Sequence, residues 1–426
     1  MTTTPKLRIG PRPYSELDRL AVVFADPLRL KIVSELFLRE MGPSRFLATY
    51  GGGTLQRVNS HFKRLVEYDC LRFVRMAPPE GPGAPEKLYR APRLAIFDEE
   101  MWAKLPIPMR EEFSWRIFEQ FGERVKEAMK AHTFDSRPDR HLSWIPLVLD
   151  EQGRATVFRA ITQLFYVLLE EQADARTRLQ YAPGASVHTT VGLAAFDSPT
   201  RQRNLRGLLV TEPPTQGEDP FDEKEFTGRF ARVFSSELNL TIMTELNLRP
   251  MSASEFATEC GGDSREVAKR LRTLRDLGWL EVVEEKTGGQ RRGATEVFYR
   301  AVRPAVYDTG RWSKVPQEVR EQDSWRIFEQ MAEQVREAFQ CRTFDSRPDR
   351  HLTWAHLVLD QQGWEQGIAA IDQCFHDVLE EQNRSKMRLI GSKEEPLIAT
   401  VAFAGFESPP PEERRPIELI SKVALN

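Results

Sequence analysis

Cysteine is scarce in this 426-residue chain: Cys70, Cys260, Cys341 and Cys374 lie far apart and form no CxxC pair. A disulfide framework is therefore not expected, and a reducing cytoplasm fits best. Long apolar runs are missing too. None approaches the roughly 18 residues that a membrane span needs, and the start Met1-Thr-Thr-Thr-Pro-Lys6 lacks the apolar core of a signal peptide. Neither sign of charge dominates. With a net charge of −3, any nucleic-acid site has to be a local basic patch. The seven histidines form no HxxxH or HxH pair, and Gly51-Gly-Gly53 lacks the Lys-Ser/Thr that completes a phosphate loop. Acid pairs such as Glu170-Glu171 read as solvent-facing charges on a long helix. Nothing in the sequence sets a nucleophile beside a base. The expectation is a soluble cytoplasmic protein, not an enzyme, with no cofactor and no metal.

What is present is a repeat. Thr-Phe-Asp-Ser-Arg-Pro-Asp-Arg-His-Leu occurs at Thr133–Leu142 and again at Thr343–Leu352, 210 residues later. The same offset aligns Ser114–Gln120 with Ser324–Gln330, Leu147–Asp150 with Leu357–Asp360, and Glu170–Gln172 with Glu380–Gln382. A period this long means two copies of a whole module rather than a solenoid of small repeats. Because two-fold dimers are the commonest homo-oligomers, the fusion reads as a dimer made permanent in one chain, monomeric in solution. The segment between the copies, 211–225, is rich in Pro, Gly and acid and reads as a linker.

Each copy opens on one pattern. In the first, Asp26-Pro27 starts a helix carrying Ile32, Leu36 and Phe37 on one face. Ser44 can cap a short helix, Arg45–Tyr50; Gly51-Gly-Gly53 turns; and Thr54 caps a helix over Leu55–Tyr68 with Val58, Phe62 and Leu65 inward. Strands over Cys70–Arg75 and Lys87–Arg90 then flank a Pro/Gly loop, Pro78–Pro85. The second copy repeats this with Ser252–Cys260, Gly261-Gly262, Asp263/Ser264 as cap, Arg265–Leu277, and strands Trp279–Val283 and Glu296–Tyr299. The remainder of each copy predicts a long helix (Arg110–Ala131), a strand (Leu142–Asp150), a long helix (Thr156 to about Leu179) and a strand (Val187–Phe196). These form an α/β lobe whose elements pack against their counterparts from the other copy.

Short helix, glycine turn, capped helix and hairpin is the layout of a winged helix-turn-helix, whose second helix fits the major groove of duplex DNA. The first copy offers Thr54, Gln56, Arg57, Asn59, Ser60, Lys63 and Arg64 on that helix, with Lys87 on the hairpin. The second offers Ser264, Arg265, Lys269, Arg270 and Arg272, and its hairpin adds Lys286, Arg291 and Arg292 for phosphates. The first hairpin is poorer, with proline in place of basic residues.

The segment Ala25-Asp-Pro-Leu-Arg-Leu-Lys-Ile-Val-Ser-Glu-Leu36 resembles the opening helix of ArsR-type winged-helix transcriptional regulators. Thr133 through Gly153, and Phe196-Asp-Ser-Pro199, are similar to the effector or dimerisation part of ArsR-like proteins of actinobacteria. The likeness covers nearly all of both copies and implies a DNA-binding transcriptional regulator. Two departures stand out: Asn239 replaces Arg29 in the second copy, and the paired-cysteine motif of metal sensors is absent. Metal sensing is therefore not implied.

The fold expectation is α+β: winged helix 17–92, lobe 93–210, linker 211–225, winged helix 226–302 and lobe 303–426, arranged as a pseudo-two-fold intramolecular dimer. The expected partner is double-stranded DNA, with no membrane and a nucleoid-associated location. A small-molecule effector binding the same architecture, or a protein-interaction scaffold that has lost DNA binding, are the alternatives. Trp115/Trp325 and Trp144/Trp354 read as core. Asp135, Arg137, Arg140 and His141, with Asp345, Arg347, Arg350 and His351, read as capping elements and pairing across a loop; a ligand-binding or inter-unit role is the alternative.

Overall fold

The computed structural model describes residues 14–78, 85–181, 184, 186–199, 232–233, 236–287, 295–302, 312, 314–390 and 392–410. The fold is α+β with antiparallel sheets, and the chain divides into two compact units, one ending at Gln120 and the other spanning Phe121–Pro409. The linker expected over 211–225, and Arg291 and Arg292, lie outside the described residues. No helix among the described residues is long and apolar enough to cross a membrane.

The first unit opens with α1 (Glu16–Phe24), which the periodicity did not predict although Ser15 and Asp18 close a capping box at its start. Asp26 caps α2 (Pro27–Leu38) by accepting from the Leu28 N–H at 2.8 Å. Ile32 and Leu36 are buried as expected, while Phe37 is only half-buried. The short helix α3 is Pro43–Tyr50, and Ser44 does not cap it. Instead the Ser44 N–H donates to the Glu86 carboxylate at 2.6 Å, a cap delivered from 42 residues away that no local pattern could announce. Thr54 caps α4 (Leu55–Glu67), accepting from the Arg57 N–H. Val58, Phe62 and Leu65 form its buried stripe. Strands β1 (Arg72–Ala77) and β2 (Glu86–Arg90) make the hairpin, followed by α5 (Glu99–Ala103) and the start of α6 (Ile107–Lys130).

The second unit repeats the opening pattern. Helix α8 (Glu237–Leu248) leads to the short strand β5 (Met251–Ser252), α9 (Ala253–Cys260) and α10 (Ser264–Asp276), then β6 (Leu280–Thr287) and β7 (Thr295–Ala301). The three strands form a sheet in the order β5-β7-β6. In the first unit the bridge Met41–Tyr89 stands where Met251 pairs with Tyr299, 210 residues on. Asp263, not Ser264, caps α10, accepting from the N–H groups of Arg265 and Glu266 at 3.0 Å. The buried stripe Val267, Leu271 and Leu274 matches Val58, Phe62 and Leu65 at an offset of 209, because this copy has one glycine fewer in the turn.

The rest of the second unit is one sheet built from both copies. Strands β3 (His141–Leu149), β4 (Val187–Asp197), β8 (His351–Leu359) and β9 (Leu397–Glu407) run antiparallel in the order β3-β9-β4-β8, alternating between copies. His141 pairs with Gly405 and His351 with Ala195, so the two outer pairings share one register. At the centre Leu193 pairs with Phe403, its own repeat partner, which puts the exchange axis of the sheet through that pair. The strands thus interlock as expected. One face is covered by α7 (Glu151–Tyr181) and α12 (Gln361–Leu389). On the other lie the end of α6, where Phe121 packs on Gly192, and α11 (Gln317–Gln340). Helix α7 begins five residues before the expected Thr156: the Asp150 carboxylate accepts from the Gly153 N–H at 2.7 Å, so a glycine that looked like a breaker sits in the first turn.

The four repeated tryptophans expected in the core are not fully buried. Trp115, Trp144 and Trp354 are half-buried and Trp325 is 36% exposed. Trp354 lies under the Arg124 guanidinium, 5.7 Å from the ring centre, which keeps its face at the layer boundary.

Candidate nucleic-acid interface

The apolar stripe of α4 decides which side chains point out. With Val58, Phe62 and Leu65 buried, Thr54, Gln56, Arg57, Asn59, Ser60, Lys63 and Arg64 are all exposed. Arg64 is partly engaged, bonding Glu67 at 3.1 Å and lying over the Tyr68 ring. On α10, Ser264, Arg265, Lys269 and Arg272 are exposed, while Arg270 is half-buried and donates to Glu266 one turn back at 2.8 Å. The two helices therefore present matched positions with unlike chemistry: Gln56 against Arg265, Arg57 against Glu266, Asn59 against Ala268, Ser60 against Lys269.

The described strands of the two hairpins differ as well. On the first, Lys87 is exposed opposite Met76, and Arg72 and Arg75 are exposed as well, interleaved with Phe73, Val74 and Met76. The strand begins two residues later than the expected Cys70, and its arginines add to the site residues expected from the sequence. Each holds an acid at the surface, Arg72 with Asp69 at 3.2 Å and Arg75 with Glu40 at 2.7 Å. Such exposed pairs contribute at most about 1 kcal/mol and exchange readily for a phosphate. On the second hairpin Lys286 is paired with Glu284 at 3.2 Å and lies over the Phe298 ring, with Glu281 and Glu285 on the same strand. Residues 17–92 hold twelve Lys/Arg against eight Asp/Glu, and residues 226–302 twelve against eleven. The first copy carries the stronger positive field.

A groove of about 720 Å³ runs between α9, α10 and β7, lined by Ser254, Glu255, Glu259, Arg272 and Glu296 among others. Glu296 bonds the hydroxyls of Ser252 and Ser254, which hold its carboxyl below the usual range. It is the repeat partner of Glu86 and ties the hairpin to the short helix as Glu86 does.

The repeated loops pair across copies. Arg140 donates to Asp135 at 2.8 Å and reaches the Ser324 hydroxyl, all three fully buried, and the Arg320 guanidinium donates to the Asp135 carbonyl. Arg137 bonds Glu407 at 3.1 Å and Arg347 bonds Glu151 at 2.7 Å. Arg350 bonds Asp345 at 2.8 Å. Two triads close the lobe with the same geometry. Arg388 donates to Asp150 at 2.5 and 2.8 Å and to Glu381; Arg178 donates to Asp360 at 2.7 and 2.9 Å and to Glu171. The arginines hold Asp150 and Asp360 down to about 2, helped by the N–H groups of Gly153 and Gly363. The histidines differ. His141 lies between Asp372 (Nδ1 to Oδ1, 2.5 Å) and Ser143 (Nε2 to Oγ, 2.7 Å), whereas His351 lies between Thr162 at 3.1 Å and Thr353 at 2.7 Å. Burial, with Arg350 beside it, pushes His351 down to about 3.

The described residues hold no cluster of three or more metal-ligating side chains. No family model, curated protein or solved structure matches this chain.

Proposed function

We propose that the chain is a sequence-specific double-stranded-DNA-binding transcriptional regulator of the ArsR-like winged-helix kind, acting as a fused pseudo-dimer that reads two unlike half-sites. One observation carries the reading. In each copy a capped helix buries an apolar stripe and leaves polar and cationic side chains at its amino-terminal, outward positions, beside a β-hairpin. Arg, Gln and Asn at such positions make bidentate contacts with guanine and adenine edges, each worth about 1–3 kcal/mol of discrimination. Interlocked lobe strands support the fused-dimer part of the reading, since strands from both copies are needed to complete the sheet.

The acidic second hairpin favours a different role for that copy. Glu281, Glu284 and Glu285 oppose phosphates, which supports a protein contact or a backbone grip limited to α10. Fluorescence anisotropy with a labelled random duplex, titrated with salt, tests the proposal. Binding that weakens by decades with rising salt supports it. A chain that binds no duplex at low salt leaves the scaffold reading in its place.

A further inference from the structure

The fold brings together what the sequence held apart. His141 and Ser143 lie two residues apart on β3 and so share one face of the sheet, the face covered by α12. Asp372, on α12, completes a chain of hydrogen bonds: Asp372 Oδ1 to His141 Nδ1 at 2.5 Å, and His141 Nε2 to Ser143 Oγ at 2.7 Å. An ionised carboxylate only accepts, so Asp372 places the imidazole proton on Nδ1 and leaves the Nε2 lone pair for the serine hydroxyl. That is the connectivity of an activated nucleophile, its base, and the group that orients the base. The imidazole is locked edge-on against Phe375 and Phe403, with ring centres 5.7 and 6.1 Å away.

The duplication supplies an internal comparison. At the equivalent place in the second copy His351 meets Thr353 and Thr162, and Thr162 passes its own proton to the Phe158 carbonyl at 3.0 Å. The same fold position holds no carboxylate there, so a histidine in this interior does not require one. Among the described residues β3 is an outer strand of its sheet. The Val148 N–H donates to the Gln382 side chain rather than to β9, and Pro146 has no N–H to give. By strand alternation the N–H of Trp144, the residue after Ser143, points to the side of β3 away from β9, as the Val148 N–H does. Asp372 is one-third exposed and forms the outer end of the chain, while His141 and Ser143 are buried, Ser143 to 3% exposure.

We propose that Ser143, His141 and Asp372 form an acyl-transfer centre that cleaves small acyl esters. Ser143 Oγ attacks the acyl carbon while its proton passes to His141 Nε2, with the Trp144 N–H as a donor to the developing oxyanion. The ester C–O bond breaks and Nε2 returns the proton to the leaving alcohol. Water then gives a proton to Nε2 and its hydroxide to the acyl carbon, and Ser143 leaves with the proton restored, so ester plus water becomes acid plus alcohol.

The test uses the full chain and a small alkyl fluorophosphonate, with peptide mass spectrometry to locate the adduct. One adduct on Ser143 is expected in the native protein, none on Thr353, and labelling slowed by about 100-fold or more in His141→Ala. Asp372→Asn is expected to slow labelling while keeping the fold, monitored by circular dichroism. A native wild-type chain that stays unlabelled, that labels no faster than the urea-unfolded chain, or that labels elsewhere overturns the proposal without reference to any variant. DNA plays no part in this measurement, so its outcome is independent of the regulator reading.

Discussion

Replacing Asp150 by Asn removes one charge from the lobe and leaves the shape nearly unchanged. In the native chain the Asp150 carboxylate is 4% exposed and accepts from Arg388, Ser385 and the Gly153 N–H. The fall of its pKa from the ordinary 3.8 to about 2 corresponds to about 2 kcal/mol of stability. Because the folded pKa lies below the unfolded one, that stabilisation is whole above pH 4 or so and is lost as pH falls through about 2. Asp150→Asn is therefore expected to lower unfolding free energy by about 2 kcal/mol at pH 7, with Glu381 the one carboxylate left to Arg388 beside the Ser385 hydroxyl. The difference from wild type should shrink as both proteins approach pH 2, since the wild-type carboxylate then loses its charge as well. Asp360→Asn is expected to behave the same way but by less, because Asp360 is 19% exposed. Urea unfolding followed by tryptophan fluorescence at a series of pH values measures both variants. A loss that is the same at pH 7 and pH 2.5 would mean packing, not charge, holds the triads, and would refute the reasoning.

Three further outcomes follow from the geometry. Gly192→Ala places a Cβ 2.6 Å from Phe121 Cζ in the interior, and should destabilise the chain by about 1–3 kcal/mol in the same assay. Arg57→Ala is expected to relax base preference in one half-site by about 1–3 kcal/mol and Arg265→Ala in the other, read by competition anisotropy with single-base variants. Arg72, Arg75 and Lys87 changed together to Ala should reduce the salt slope of DNA binding by about 0.9 per lost phosphate contact and leave sequence preference unchanged. The same treatment of Lys286 should have less effect, since Glu281, Glu284 and Glu285 on the same strand oppose a phosphate there.

Much of this architecture is legible in the sequence because its determinants are local. The stripes Val58, Phe62, Leu65 and Val267, Leu271, Leu274 mark α4 and α10, and Thr54 and Asp263 mark their starts. The 210-residue repeat signals an interlocked pair, and the sheet order β3-β9-β4-β8 realises it. What the sequence hides is contact across long separations. Glu86 caps α3 from 42 residues away, and Asp372 meets His141 across 231. The start of α7 was hidden for another reason: glycine propensity at Gly153 argues against a helix, but Asp150 capping and close packing against Ser385 override it. A clue to the His141 site was available, since a His-x-Ser spacing on a strand puts both side chains on one face.

Selection of bound sequences from a random duplex pool tests the central claim most directly. An asymmetric site with two unlike half-sites is expected, because Gln56, Arg57, Asn59 and Ser60 stand where Arg265, Glu266, Ala268 and Lys269 do in the other copy. Recovery of a perfect palindrome, or of no enriched sequence at all, would contradict it.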